Sequence, residues 1–184
     1  MNYQKIIWFI KTMFLRLKIG HIGLVTYVGP PMFIYGGRRI YIGNRVRIFP
    51  GSRMETHNNG SIYIEENVSI GQNFHLTSGE QVLKIGKNTT ILGNCFITNI
   101  DHDFTEIGIH ILQQPQIVRK TEIGENCFIG YGAAIQAGTT LGKQCIVGAH
   151  SVVRGSFPDY CVIVGAPGRV VKKYNLETST WERV

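Results

Sequence analysis

The stretch Ile123–Pro158, read as IGENCF, IGYGAA, IQAGTT, LGKQCI, VGAHSV and VRGSFP, decides the fold. An aliphatic residue returns every six positions without a slip: Ile123, Ile129, Ile135, Leu141, Val147 and Val153. The fifth position of each unit is mostly small: Cys127, Ala133, Thr139, Cys145 and Ser151, with Phe157 ending the series. An amphipathic helix repeats about every 3.6 residues and an ordinary strand about every 2, so neither produces this pattern. A parallel β-helix does: each hexapeptide is one short strand plus a corner, and three make a coil of about 18 residues. The aliphatic side chains are expected to stack inside the prism. Gly124, Gly130, Gly142 and Gly148, each next to an aliphatic position, are expected to supply unusual backbone angles at the corners.

Upstream, the same period runs through Ile42, Ile48 and Met54, then Ile64, Ile70 and Leu76, then Ile85, Ile91 and Ile97. The steps between these groups are longer than three hexapeptides, which predicts insertions at His57-Asn58-Asn59-Gly60 and Ser78-Gly79-Glu80. Such insertions tend to share a face of a solenoid, often the binding face. The repeat breaks once at length, after Ile97. The unit Ile97–His102 puts Asp101 in the small slot and His102 at its end, and a loop excursion over residues 103–122 precedes the return of the frame at Ile123. A solenoid seldom abandons its repeat without a functional reason.

The chain therefore divides into an apolar and basic N-terminal helix (1–20), the β-helix (21–164) and a basic C-terminal tail (165–184). Residues 21–41, with Gly29-Pro30-Pro31 and Gly36-Gly37, read as a degenerate first coil. In the helix, Ile6, Ile7, Trp8, Phe9, Ile10, Met13, Phe14, Leu15 and Leu17 are interleaved with Lys5, Lys11, Arg16 and Lys18. Lys11 splits the apolar run, which falls short of the roughly 20 residues a bilayer span requires. Two roles fit: a cap over the open end of the coil, and a basic interfacial helix lying on anionic lipid. In the tail, Val170, Val171 and Tyr174 are placed to pack against the outer wall.

At 184 residues with 22 glycines the chain suits one turn-rich domain. A net charge of +7 points to an anionic ligand, a lipid surface or nucleic acid. Nucleic acid is set aside, because the basic residues are scattered and no nucleic-acid-binding signature occurs. Four cysteines fit no C-x-x-C spacing, and Cys95, Cys127 and Cys145 all occupy small interior slots. Without a signal-peptide cleavage pattern, the expectation is a cytoplasmic protein with reduced thiols.

His102 is the leading candidate for chemistry, since histidine exchanges a proton near neutral pH. Asp101 and Asp103 flank it as candidates to orient the ring. The six histidines (His21, His57, His75, His102, His110, His150) form no tight His-x-x-x-x-His pair, so no metal site is expected. No nucleophile elbow and no phosphate-cradling loop is present. Arg154, Arg169, Lys172 and Lys173 suit phosphate binding, and the turn Gly165-Ala166-Pro167 stands just before the last three.

Taken together, the hexapeptides of 123–158, the segment NIDHDF (99–104), VGAPGRVVKKY (164–174) and the terminal YNLETSTWERV (174–184) resemble the hexapeptide-repeat acyltransferases. The similarity is to the bacterial O-acetyltransferases of O-antigen and exopolysaccharide, near the galactoside and maltose acetyltransferases, and covers about residues 40–175. The resemblance implies an all-β, left-handed parallel β-helix, a handedness opposite to the usual crossover rule. It implies an acetyl-CoA-dependent O-acetyltransferase acting on a saccharide hydroxyl, with His102 as general base and no acyl-enzyme. A homotrimer in the bacterial cytoplasm is implied too, with acetyl-CoA in a groove between subunits. Positions matching the CoA groove are Phe128, Tyr131, Ala149 and Arg154, with Arg169 and Lys172 towards the nucleotide phosphates. Phe128 replaces a common Trp, and Arg154-Gly155 stands where many relatives have Thr-Lys. His75 and Glu80 are the acceptor-side candidates. The basic apolar N-terminus suggests a lipid-linked acceptor and contact with the inner membrane face through residues 1–20. The rival readings are N-acetylation of a nucleotide-linked amino sugar, a zinc β-helix enzyme of carbonic anhydrase type, and a non-catalytic scaffold.

Overall fold

The computed structural model describes residues 3–184. Short strands wind into a parallel solenoid of about six turns, with one helix at its N-terminal end. Three sheets form the walls. One runs from His21–Ile22 through Ile40–Ile42, Ser61–Ile64, Val82–Ile85, Thr121–Ile123 and Thr140–Leu141 to Ser156–Phe157. The second runs from Tyr27–Val28 to Cys161–Val164 and continues into the tail. The third stacks Phe33–Tyr35, Arg53–His57, His75–Gly79, Phe96–Thr98, Ala134–Ile135 and Val152–Val153.

The six-residue period is a packing requirement. Met54 pairs in register with Leu76, Leu76 with Ile97, Ile97 with Ile135 and Ile135 with Val153, so one aliphatic column fills one wall. All five are fully buried, as are Cys127, Ala133, Thr139, Cys145 and Ser151 of the small slot. All four cysteines are free and buried, in keeping with the packing role read for Cys95, Cys127 and Cys145.

The glycines correct one expectation. Gly124, Gly130 and Gly142 do not carry positive φ; that conformation falls two residues later, at Asn126, Gly132 and Gln144, and at Asn67, Asn73, Asn88 and Asn94 in earlier coils. Asn tolerates the left-handed region better than most residues. The glycines answer to close stacking instead. A Cβ on Gly124 would lie 2.4 Å from the Gly142 carbonyl oxygen, and one on Gly130 2.5 Å from the Ala149 nitrogen.

The N-terminal helix spans Tyr3–Leu15, shorter than expected; Met1 and Asn2 lie outside the described residues. Its inner side covers the first coil. The Thr12 hydroxyl accepts from the Val28 amide at 2.8 Å and donates to the Trp8 carbonyl at 2.7 Å, giving a partner to a coil-edge amide. Trp8 packs on Tyr27 and Phe49, with ring centroids 5.9 Å apart in each case. The outer side leaves Tyr3, Ile6, Ile10, Met13 and Phe14 exposed, as is Leu17 in the turn that follows. No described helix is long and apolar enough to cross a membrane.

The C-terminal segment is more ordered than a tail. Arg169–Asn175 pairs antiparallel with Cys161–Val164, and Thr180–Arg183 pairs antiparallel with Arg169–Asn175, so the second sheet gains a hairpin. Val170 packs against the core.

Candidate active site

The two insertions and the long excursion read from the sequence fall at one corner, where the third sheet passes to the first. There Arg53–His57 and His75–Gly79 are five-residue strands instead of the usual two or three. One coil further along, the chain leaves the prism altogether. Asn99 is buried at the point of departure; its Oδ1 accepts from the Gly79 amide at 2.7 Å, and its Nδ2 donates to the Gly79 carbonyl at 3.1 Å. The excursion is an antiparallel ladder rather than an open loop. Ile100–His102 pairs with Gln116–Val118, and His102 stands opposite Gln116. Further out, buried Gln114 holds the tip together, donating to the carbonyls of Glu106 (3.2 Å) and Ile109 (3.0 Å) and accepting from the Glu106 amide at 3.1 Å.

His102 is exposed, and its ring makes no hydrogen bond among the described residues. The two flanking aspartates do not orient it, which corrects that expectation. Successive side chains on a strand point to opposite faces, and Asp101 faces Arg119 and Arg154. Its Oδ2 accepts from Arg119 at 2.8 Å and from Arg154 at closer range, tying the hairpin to the C-terminal coils. Asp103 accepts from the Thr105 amide (3.0 Å) and hydroxyl (2.9 Å), bonds that hold its carboxyl below the ordinary range.

What His102 does face is a cleft of about 280 Å³ lined also by Arg53, Glu55, His57, His75 and Phe96. The first three alternate along one strand, so all point outward on the same face. Register places Arg53 beside His75 and His75 beside Phe96. Glu55 sits among them, almost wholly covered. Its Oε1 pairs with the Arg53 guanidinium and lies 3.4 Å from His75 Nε2, while its Oε2 lies 3.1 Å from His57 Nε2. Burial alone would favour the neutral acid, but Arg53 and His57 outweigh it and hold the Glu55 pKa below its ordinary value. Burial, then the Arg53 charge, push His75 below its ordinary value of 6.5 against the opposing pull of Glu55. His75 is therefore neutral at neutral pH.

Of the acceptor candidates, His75 lies in this cleft and Glu80 does not; Glu80 is exposed at the bend just after His75–Gly79. The sequence reading passed over Arg53, Glu55 and His57. The alternation R-x-E-x-H beside an insertion was the available signal. Among the described residues no group of three or more His, Cys, Asp or Glu side chains is disposed to hold a metal ion.

The residues matched to a CoA groove lie elsewhere. Phe128 is on the second sheet, and Tyr131 and Ala149 are at the corner between the second and third sheets. All three are exposed, and Tyr131 stacks edge-on against His150 with centroids 5.7 Å apart. Arg154 belongs to the Asp101 cluster, while Arg169 and Lys172 stand exposed on the added C-terminal strand. Within one chain, Phe128, Tyr131 and Ala149 thus lie away from the corner that carries His102, while Arg154 adjoins it through Asp101.

A model of the bacterial transferase hexapeptide, six repeats, matches residues 120–155. The WbbJ protein of Escherichia coli (strain K12), named as an O-acetyl transferase of lipopolysaccharide biosynthesis, is 34% identical over 161 residues, covering 83% of this chain and 81% of that protein. Galactoside O-acetyltransferase of the same strain is 27% identical over 156 residues, 84% of this chain and 64% of the relative. Among solved structures, a single-residue mutant of AntD, an N-acyltransferase from Bacillus cereus, in complex with dTDP-4-amino-4,6-dideoxyglucose and coenzyme A, superposes with a TM-score of 0.78 at 21% identity, covering 91% and 90% of the two chains. That likeness shows a shared fold. With the repeat, the solenoid and a relative matched over most of its length, this chain belongs to the hexapeptide-repeat acetyltransferases and is an acyltransferase.

Proposed function

We propose that the chain transfers an acetyl group from acetyl-CoA to a saccharide hydroxyl during assembly of a surface polysaccharide such as O-antigen or exopolysaccharide. The observation that carries this reading is His102, an unpartnered imidazole held on a two-stranded hairpin and facing a cleft of polar side chains. An imidazole so placed can take the proton of a hydroxyl as its oxygen attacks the thioester carbonyl. The tetrahedral intermediate then collapses, and the departing CoA sulfur recovers that proton from the imidazolium. No acyl-enzyme is required, because alignment of two bound substrates supplies much of the rate. Acetyl-CoA is a substrate in this scheme, and both AntD and a galactoside acetyltransferase have been crystallised with coenzyme A.

The separation of His102 from Phe128, Tyr131 and Ala149 supports a homotrimer, in which a neighbouring chain would bring its own CoA-binding wall to the His102 corner. Arg169 and Lys172 would meet the nucleotide phosphates. Arg154, engaged with Asp101, would act on the hairpin as much as on the ligand. The outer side of the helix, with Ile10, Met13, Phe14 and Leu17 exposed beside Lys11 and Lys18, fits contact with anionic lipid at the cytoplasmic face and a lipid-linked acceptor. Sedimentation of the full chain with phosphatidylglycerol vesicles tests this contact, and Phe14→Glu should abolish it.

The test of the reaction is acetyl-CoA turnover with saccharide acceptors, followed by release of CoA thiol. Wild type should acetylate a hydroxyl, and His102→Ala should bind acetyl-CoA normally while losing turnover. Equal turnover in the variant would overturn the assignment. A second reading, N-acetylation of a nucleotide-linked amino sugar, is favoured by the likeness to AntD, which was crystallised with such a sugar. Hydroxyl and amino acceptors compared on one preparation separate the two.

A further inference from the structure

We propose that the cleft beside His102 is an acceptor subsite built for one uncharged, hydroxyl-rich sugar ring, with Arg53 and His57 as its specificity-determining contacts and Glu55 as the positioning residue that holds them. This rests on the reading of His102 as the base of a saccharide acetyltransferase and sharpens it to a ligand charge and size.

Charge balance comes first. The one guanidinium in the cleft is already paired, since Arg53 donates its Nε–H to Glu55. His75 adds no positive charge at neutral pH, because burial and Arg53 hold it neutral. With its two charges spent on each other, the Arg53–Glu55 pair leaves no free counter-ion for a phosphate, a carboxylate or an ammonium, each of which would enter at a cost in desolvation. A neutral polyol meets no such penalty.

Hydrogen-bond direction comes next. Both oxygens of Glu55 are occupied, by Arg53 and His75 on one side and His57 on the other. In the neutral imidazole, donation of the His57 Nε2–H to Glu55 leaves Nδ1 as an acceptor. Arg53 keeps its terminal N–H groups as donors, and its guanidinium is steadied over the Phe33 ring at 5.5 Å. A donor and an acceptor side by side match a hydroxyl, which needs one of each. Apolar surface completes the pattern: Phe96 packs against His75 with centroids 5.1 Å apart, and Tyr35 against His57 at 5.2 Å. Aromatic rings suit the C–H face of a sugar ring.

Size sets the limit. At about 280 Å³ the cleft is close to the lower bound of small-molecule pockets, about 300 Å³. It takes a single ring, and the rest of a polymer, carrier or nucleotide must lie outside.

The experiment uses the full-length protein, a set of methyl hexopyranosides, glucosamine and UDP-glucose. Saturation-transfer NMR reads binding, and thiol release reads turnover. Methyl glycosides should bind and accept acetyl; UDP-glucose should bind no better than its sugar alone. Glu55→Gln and His57→Ala should each raise the acceptor KM about ten-fold, the loss of one good hydrogen-bonding interaction, with the acetyl-CoA KM unchanged. His57 is half-exposed, so His57→Ala keeps the test valid where Glu55→Gln disturbs folding. Unchanged acceptor KM in both variants, or preferential binding of UDP-glucose that Glu55→Gln strengthens, overturns the proposal. Should wild type bind acetyl-CoA yet acetylate no sugar, the transferase reading fails by itself. Glycoside binding that His57→Ala removes would still support the subsite, and its absence would overturn it.

Discussion

The coil of residues 123–157 and the hairpin of residues 100–118 adjoin in sequence, yet their hydrophobic residues are spent in opposite ways. In the coil, Ile123, Ile129, Ile135, Val147 and Val153 are all completely buried. In the hairpin Ile107 is 96% exposed, Leu112 74% and Phe104 72%. The coil is held by repetition, since each aliphatic side chain stacks on its equivalents above and below. The hairpin is held by a few particular bonds: its root through Asn99, its tip through Gln114, and its stem through Asp101 with two arginines. A repeating wall is stiff but offers the same surface at every turn. Reactive groups in this chain gather where the repeat is broken.

The widest separation between the two regions should appear on replacing His102 with alanine. General-base catalysis typically contributes about 10²–10⁴ in rate, so kcat should fall by that order. Because His102 is exposed and unbonded, Tm should be unchanged. A fall in Tm along with kcat would mean that the hairpin is part of the cooperative core and the comparison is false.

Next in size is a matched pair of truncations. Ile135→Ala empties a site fully enclosed between Ile97 and Val153 and should cost about 2–5 kcal/mol. Ile107→Ala, in the hairpin, should stay within about 0.5 kcal/mol. Urea unfolding of both measures the contrast, and equal losses would sink it.

How far each region could be read from sequence follows from the same contrast. The aliphatic series from Ile123 to Val153 is legible because every coil imposes the same steric demand, and a demand made repeatedly leaves a period. The glycines beside it were seen for a mistaken reason. Composition marks Gly where a Cβ is excluded, but does not tell a left-handed angle from a neighbouring carbonyl that a Cβ would approach to 2.4 Å. His102 was legible as the last residue before the frame is lost. Its surroundings were not, because they come from coils one and two turns earlier, brought near by stacking. Glu55 lies far back in the chain and meets His75 only through the register of two strands. Adjacency misled for Asp101 and Asp103, since neighbours on a strand face apart.

A subtler test concerns Gln114, the buried amide that ties the hairpin tip to its own backbone. Gln114→Ala leaves the carbonyls of Glu106 and Ile109 without their donor, at about 1–3 kcal/mol for unsatisfied groups of this kind. The loss should be local. Amide exchange should quicken across residues 103–118 and stay slow in the coil, with kcat reduced and Tm little moved. Uniform quickening throughout the chain would show that the two regions unfold together.

The smallest effect lies at the seam, where His75 belongs to a coil strand but faces the hairpin's cleft. Its folded pKa lies below the ordinary 6.5, because burial and Arg53 disfavour the imidazolium. Between 6.5 and that lower value the unfolded chain therefore carries a proton that the folded chain refuses. Unfolding then takes up protons, and stability falls as pH drops through this window. Glu55 does not confuse the measurement: its own pKa lies below 4.5, so it stays ionised above that pH and its contribution is lost only in stronger acid. Wild type should thus lose more Tm between pH 7 and pH 5.5 than His75→Gln, which has nothing to titrate there. The difference should be a few degrees at most, since the side chain is about one-third exposed and water screens much of the penalty. Parallel curves for the two proteins would mean that His75 accepts its proton as readily folded as unfolded. The cleft would then carry positive charge in mild acid, and the seam would behave as open hairpin surface instead of coil.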